Sequence, residues 1–122
     1  VMTIASYRDL RVWQQSMDLA EACYRLSARF PREETYGLTS QIRRASVSVP
    51  ANIAEGYGRN SKGAYVQFLR VAQGSLKELE THILLAGRLA IVDAPASEPV
   101  LALCDTVGRV LLGLMRQLEQ SY

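Results

Sequence analysis

Residues 41–59 read QIRRASVSVPANIAEGYGR, and the fold depends on how this run is taken. Placed at 100° per residue, Leu38, Ile42, Ala45, Val49 and Ile53 fall within about 60° of one another and form a core stripe. A second, mostly small-residue side carries Val47, Pro50, Ala51, Ala54 and Tyr57. On one flank between them runs a polar stripe of Gln41, Arg44, Ser48, Asn52, Glu55 and Arg59. A helix that is apolar on two sides is covered on two sides, inside a bundle or between a bundle and another subunit. Pro50 lacks the N–H that would reach the Ser46 carbonyl, and its ring presses on that carbonyl, so a kink or break is expected near Val49. Gly56 and Gly58 end the helix, and Asn60-Ser61 offers a cap for the next.

On the N-terminal side, a first helix is expected over about 9–28, capped by Asp9 and closed off by Pro31. Its apolar residues make two adjoining rows, Leu10, Trp13, Met17, Ala20, Tyr24 and Val12, Leu19, Cys23, Leu26, Phe30, more surface than one neighbour covers. The remaining arc, with Arg11, Asp18 and the i,i+4 pair Glu21 and Arg25, reads as a solvated face. Pro31 to Glu34 is a connecting loop, and the second helix follows over about 38–57. A third helix, about 62–91, repeats Tyr65, Phe68, Leu69, Ala72, Leu76, Leu79, Ile83, Ala86 and Ala90 at 3 and 4 spacing. Asp93 to Ser97 is read as a loop with Ser97 as cap, leading into a helix over about 98–120 with Val100, Leu103, Val107, Leu111, Leu114 and Leu118 as its seam. Four such helices joined by short connections predict one all-α domain over 1–122, an antiparallel up-down-up-down four-helix bundle with its second helix kinked at Pro50.

At 122 residues and a formal charge of +2, the chain has the size of one domain and neither the composition of a disordered segment nor a polybasic tail. Its charge is uneven. Between Gly37 and Lys77, six basic side chains (Arg43, Arg44, Arg59, Lys62, Arg70, Lys77) face one acid, Glu55, a local excess of +5. Twelve of the fourteen basic residues are Arg, which favours planar two-point contacts to carboxylate or phosphate, although a GC-rich gene gives the same bias. Cys23 and Cys104 lie on apolar faces and read as small core residues of a reducing compartment, with a disulfide as the minority reading. No run of about 20 apolar residues exists, which argues against a membrane helix. Val1-Met2-Thr3 lacks the features of a signal peptide, so the expected location is a bacterial-type cytoplasm.

The chemistry-bearing residues do not assemble into a reaction centre. His82 is the only histidine and has no Cys or carboxylate set at metal-ligand spacing, so neither metal nor cofactor is expected. Gly58 to Gly63 fits GxxxxG but is preceded by a helix and followed by Ala64-Tyr65, which excludes a P-loop. As a turn opening a helix, beside Arg59 and Lys62, it is either a phosphate contact or a plain turn. Glu55, Glu78 and Glu80 read as ion-pair partners of nearby cations, since the Glu-x-x-His sets of diiron bundles are missing. Arg43 and Arg44 diverge by about 100°. Arg44 joins the polar stripe, while Arg43 points into the small-residue side and needs a partner. The leading reading for it is an ion pair across an oligomer contact, with an RNA phosphate or simple exposure as alternatives. With no nucleophile–base pair and no metal set, the chain does not read as an enzyme.

Tyr36 to Arg59, YGLTSQIRRASVSVPANIAEGYGR, preceded by YRDLRVWQQSMDLA and followed by FLRVAQGSLKELETHILLA, resembles the four-helix-bundle family of 23S rRNA intervening-sequence proteins across nearly the whole chain. The resemblance implies a small bacterial bundle that assembles as a ring-like homopentamer and has no established molecular function. Accessory variability proteins of diversity-generating retroelements resemble that family in fold and ring assembly, and serve as basic partners of a reverse transcriptase and nucleic acid. Two function classes follow. In the first, a non-enzymatic homo-oligomer meets RNA or DNA through Arg44, Arg59, Lys62, Arg70 and Lys77, repeated around the ring. Arg43, Val47, Pro50, Ala54 and Tyr57 are then candidate subunit contacts. In the second, the extra apolar surface docks a protein partner and the chain is a scaffold. The lack of aromatic residues interleaved with basic ones favours this second class, Tyr57 being the one near candidate.

Overall fold

The computed structural model describes residues 3–121, so the Val1–Met2 start read above lies outside the described residues. Four helices make up the fold: α1 Arg11–Ser27, α2 Leu38–Tyr57, α3 Lys62–Arg88 and α4 Ala94–Gln120. No strand occurs among the described residues. Contacts join α1 to α2, α2 to α3, α3 to α4 and α4 back to α1, which is the arrangement of a four-helix bundle. One core runs through it. Leu19, Ile42, Ile53, Leu69, Leu76, Leu79, Ile83 and Leu111 are its largest fully buried side chains, each contributing about 1.5–3 kcal/mol by leaving water.

The seams follow the predicted spacing through α2 and most of α3, but Ala90 is exposed. In α4, Leu103, Leu114 and Leu118 are only half-buried, while Cys104 and Met115 join Val100, Val107 and Leu111 in the core. Leu38, Ile42, Ala45, Val49 and Ile53 of α2 are all buried, as are Leu69, Ala72, Leu76, Leu79, Ile83 and Ala86 of α3. On α1, the row containing Val12, Leu19, Cys23 and Leu26 is buried, whereas Met17 and Tyr24 of the adjoining row stay exposed. Helix α2 runs without interruption through Pro50.

Three boundaries differ from the sequence expectation, each for a local reason. Asp9 does not cap α1. Ser6 starts a 3-10 turn at Tyr7–Asp9, and the Asp9 carboxylate turns back to accept from the Ala5 and Ser6 amides at 2.9 and 3.1 Å, leaving Leu10 ahead of α1. Helix α4 starts at Ala94, with the Asp93 carboxylate accepting from the Ala96 amide at 2.9 Å, so Ser97 is a buried helix residue and not the cap. Pro95 costs nothing in a first turn, where a backbone N–H would have no partner, and Pro99 deletes a single bond. Helix α3 ends at Arg88 rather than near 91. Ala90 takes a left-handed φ of 58°, and the Ile91 amide turns back to the Ala86 carbonyl at 2.9 Å. Elsewhere, Ser61 caps α3 as expected, accepting from the Ala64 amide at 3.1 Å. Before α2, residues Arg32–Glu34 form a 3-10 turn that lets Glu34 accept from the Leu38 amide at 3.0 Å.

Candidate functional site

Two regions carry the residues singled out by sequence, and the fold treats them differently. The polar stripe of α2 satisfies itself and leans on α3. Arg44 donates to Gln41 Oε1 at 2.6 Å, and Asn52 donates to the carbonyl and hydroxyl of Ser48 at 2.8 and 3.0 Å. The Ser48 hydroxyl meets that of Ser75 on α3 at 2.8 Å. Arg59 pairs with Glu55 at 3.0 Å. The stripe is therefore a helix–helix seam with Arg44 and Arg59 at its exposed ends.

The five basic candidates do not converge on one patch. Lys62 and Arg70 share a cleft of about 340 Å³ with Val66 and Glu119 at the start of α3. The Lys62 ammonium donates to the Ser121 carbonyl, and Arg70 lies 3.7 Å from Glu119. Arg59 flanks the same end of α3, over Phe68. Lys77 pairs with Glu80 at 3.4 Å and lines a separate α3–α4 groove beside Asp105 and Arg109. Arg44 sits toward the other end of α2, one turn before Ser48. Arg59, Lys62 and Arg70 are thus the trio the fold places around one helix end.

The second region is the α1–α2 face. Met17, Ala20 and Tyr24 of α1 meet Val47 and Pro50 of α2 around an open groove of about 440 Å³. Met17, Tyr24 and Val47 are 39, 44 and 45 % exposed. Of the candidate contacts, Val47 and Pro50 line this groove and Ala54 is half-buried farther along α2. Arg43 finds its partners within the chain. Its Nε donates to Ser27 Oγ at 2.8 Å, its Nη2 to the Tyr24 carbonyl at 3.4 Å, and its guanidinium lies 4.7 Å from the Tyr24 ring centroid. Tyr57 is at the far end, its ring 6.0 Å from that of Tyr65 in an edge-to-face pair.

The sequence matches the 23S rRNA-intervening sequence protein family over residues 8–113. The chain belongs to this family. Among solved structures, it is similar to a protein of unknown function from the S23 ribosomal protein family of Bacteroides thetaiotaomicron VPI-5482. The two share 20 % identity with a TM-score of 0.80, over 85 % of this chain and 97 % of that one, which speaks for the fold. No curated protein matches the sequence.

The remaining chemistry-bearing side chains of this family member are Cys23, His82 and Cys104. Among the described residues no group of three or more His, Cys, Asp or Glu side chains is placed to hold a metal ion. No helix among them is long and apolar enough to cross a membrane. His82 lies 3.3 Å from Glu78 on its own helix. Cys23 and Cys104 are unbonded and fully buried, and burial, more than any neighbouring charge, pushes each thiol up to about 12. A thiol held that far above neutral pH is inert as a nucleophile. Sequence reasoning missed Tyr65 and Phe68, which read as plain seam residues of α3; the fold sets them half-buried beside Tyr57 and Arg59. The one signal for them was Gly56, whose missing side chain lets α2 end against the Tyr65 ring and the Phe68 Cβ.

Proposed function

We propose that this chain is a non-enzymatic assembly protein whose copies join through the α1–α2 face and whose assembly associates with RNA. The observation that carries it is the groove around Met17, Tyr24, Val47 and Pro50, an apolar surface left open by the four-helix core. A second copy is the occupant that fits the resemblance, which implies a ring of five. Such rings need a contact between different faces of neighbouring copies. RNA enters through the family description and through Arg59, Lys62 and Arg70. Repeated around a ring, this trio supplies a field that one chain of charge +2 lacks. A reducing cytoplasm suits the two unbonded thiols. Light scattering of the purified protein, read with its absorbance ratio, reports subunit number and bound nucleic acid together. A multimer that retains RNA at low salt and sheds it steeply as salt rises supports the reading; a bare monomer defeats it.

A second reading, a scaffold for a protein partner without nucleic acid, draws on the salt bridges of Arg59, Arg70 and Lys77, each of which already has a carboxylate. Recovery of one protein and no nucleic acid after nuclease treatment selects it.

A further inference from the structure

The corner between α2 and α3 assembles what the linear sequence does not display. The Arg59 guanidinium carbon lies 4.7 Å from the centroid of the Phe68 ring. Tyr57 and Tyr65 meet beside it, centroids 6.0 Å apart and planes at 89°. Gly56 makes the cluster possible: a Cβ there would stand 2.8 Å from Phe68 Cβ and 3.1 Å from Tyr65 Cδ1. Arg59 keeps 46 % of its side chain exposed. Glu55 takes one edge of the guanidinium through Nη2 at 3.0 Å, Phe68 lies under it, and nearly half of the side chain still meets solvent. The first turn of α3 is open at Gly63, where a Cβ would meet no atom within 4 Å.

From this geometry we infer that the Arg59–Phe68 stack, with the Tyr57–Tyr65 pair beside it, is a platform for an unpaired base of single-stranded RNA. The inference rests on the RNA association proposed above and names where one nucleotide sits. A guanidinium held over an aromatic ring is flat and already ordered, so a base adds to its outer side with little further loss of freedom. Stacking of this kind accepts any base, because every base has a π-face. The flanking phosphates have Lys62 and Arg70 to meet in their shared cleft. Lys62 follows Arg59 by three positions and so lies within about 11 Å of it. Glu55 and Glu119 offset two of the three cations, which leaves binding per subunit weak and dependent on repetition.

Arg59→Lys separates stacking from charge, because the ammonium keeps the charge and loses the plane. With a short single-stranded RNA carrying one 2-aminopurine, anisotropy gives the affinity and 2-aminopurine emission reports stacking. Arg59→Lys is expected to bind about tenfold more weakly and to lose the emission change. Arg88→Lys, the same exchange at the exposed far end of α3, retains both, and Phe68→Leu, which takes the ring from under Arg59, loses the emission change as well. Affinity and emission change like those of the unaltered protein in Arg59→Lys overturn the platform and leave RNA association standing. An unaltered protein that binds no RNA overturns the association, and the platform with it.

Discussion

Arg43 Nε donates to the Ser27 hydroxyl at 2.8 Å, and that hydroxyl in turn donates to the Cys23 carbonyl at 2.8 Å. The relay ties the last turn of α1 to the first half of α2, with the guanidinium seated against Tyr24. A hydrogen bond to a charged group contributes about 1.5–3 kcal/mol. Arg43→Met is therefore expected to destabilise the fold by about 1–3 kcal/mol in urea unfolding. Ser27→Ala should cost a similar amount, and the double variant less than the sum, because both act on one bond. Additive losses would show that Arg43 acts elsewhere, for instance across a subunit contact.

Glycine and alanine trade places with opposite signs at three positions. Gly56→Ala drives a Cβ to 2.8 Å from Phe68 Cβ and 3.2 Å from the Tyr65 carbonyl, an overpacking expected to cost about 1–3 kcal/mol. Gly74 lies in the middle of α3 with nothing within 4 Å, so Gly74→Ala should add about 0.5–1 kcal/mol. Ala90 holds a φ of 58°, and Ala90→Gly should gain up to about 1 kcal/mol by relieving it. Thermal unfolding orders the three, and a neutral Gly56→Ala would mean that the corner yields more than its contacts imply.

How far the sequence is readable follows from where each residue's partner lies. The seam of α3 is visible because Leu69, Leu76, Leu79 and Ile83 repeat along one helix, and burial follows that repeat directly. Asp9 looks like a helix cap because a cap is recognised by residue type; its carboxylate instead bonds backward to Ala5 and Ser6, a choice set by the turn geometry. Pro95 falls in the stretch read as a loop, Asp93 to Ser97, yet Asp93 caps the helix ahead of it. Arg43 looked unpaired on its own helix wheel because its partner, Ser27, belongs to another helix. The Arg59–Phe68 stack was hidden for the same reason, being built across the α2–α3 turn.

The buried thiols predict the alkaline limb of stability. Burial first, and Cys104 second, pushes Cys23 from 9.0 up to about 12. Cys104 is raised to about 12 as well, by burial and then Glu80, with Lys77 opposing. The unfolded chain therefore sheds thiol protons near pH 9 that the folded chain keeps. Their contribution to stability is complete below about pH 9 and falls as pH rises toward 12. Tyr65, raised by burial and then by Tyr57, acts in the same direction. The urea midpoint should decline above about pH 9, and Cys23→Ala with Cys104→Ala should flatten that decline. An unchanged slope in the double variant would assign the alkaline loss to other groups.

Val47 tests the assembly with the least damage to the fold. It is 45 % exposed on α2 and lines the α1–α2 groove beside Met17 and Pro50, so Val47→Asp leaves the core untouched. A carboxylate buried in that contact, beside the Glu21–Arg25 pair that also lines the groove, must be desolvated at a cost of several kcal/mol. Light scattering is expected to find a multimer for the unaltered protein and a single chain for Val47→Asp, with helix content unchanged by circular dichroism. Because a ring multiplies weak sites, RNA affinity should fall with it by about a hundredfold or more, even though Arg59, Lys62 and Arg70 are intact. A Val47→Asp variant that keeps the multimer mass would move the subunit contact off this face. One that loses the ring but keeps its RNA affinity would show that a single chain suffices for binding.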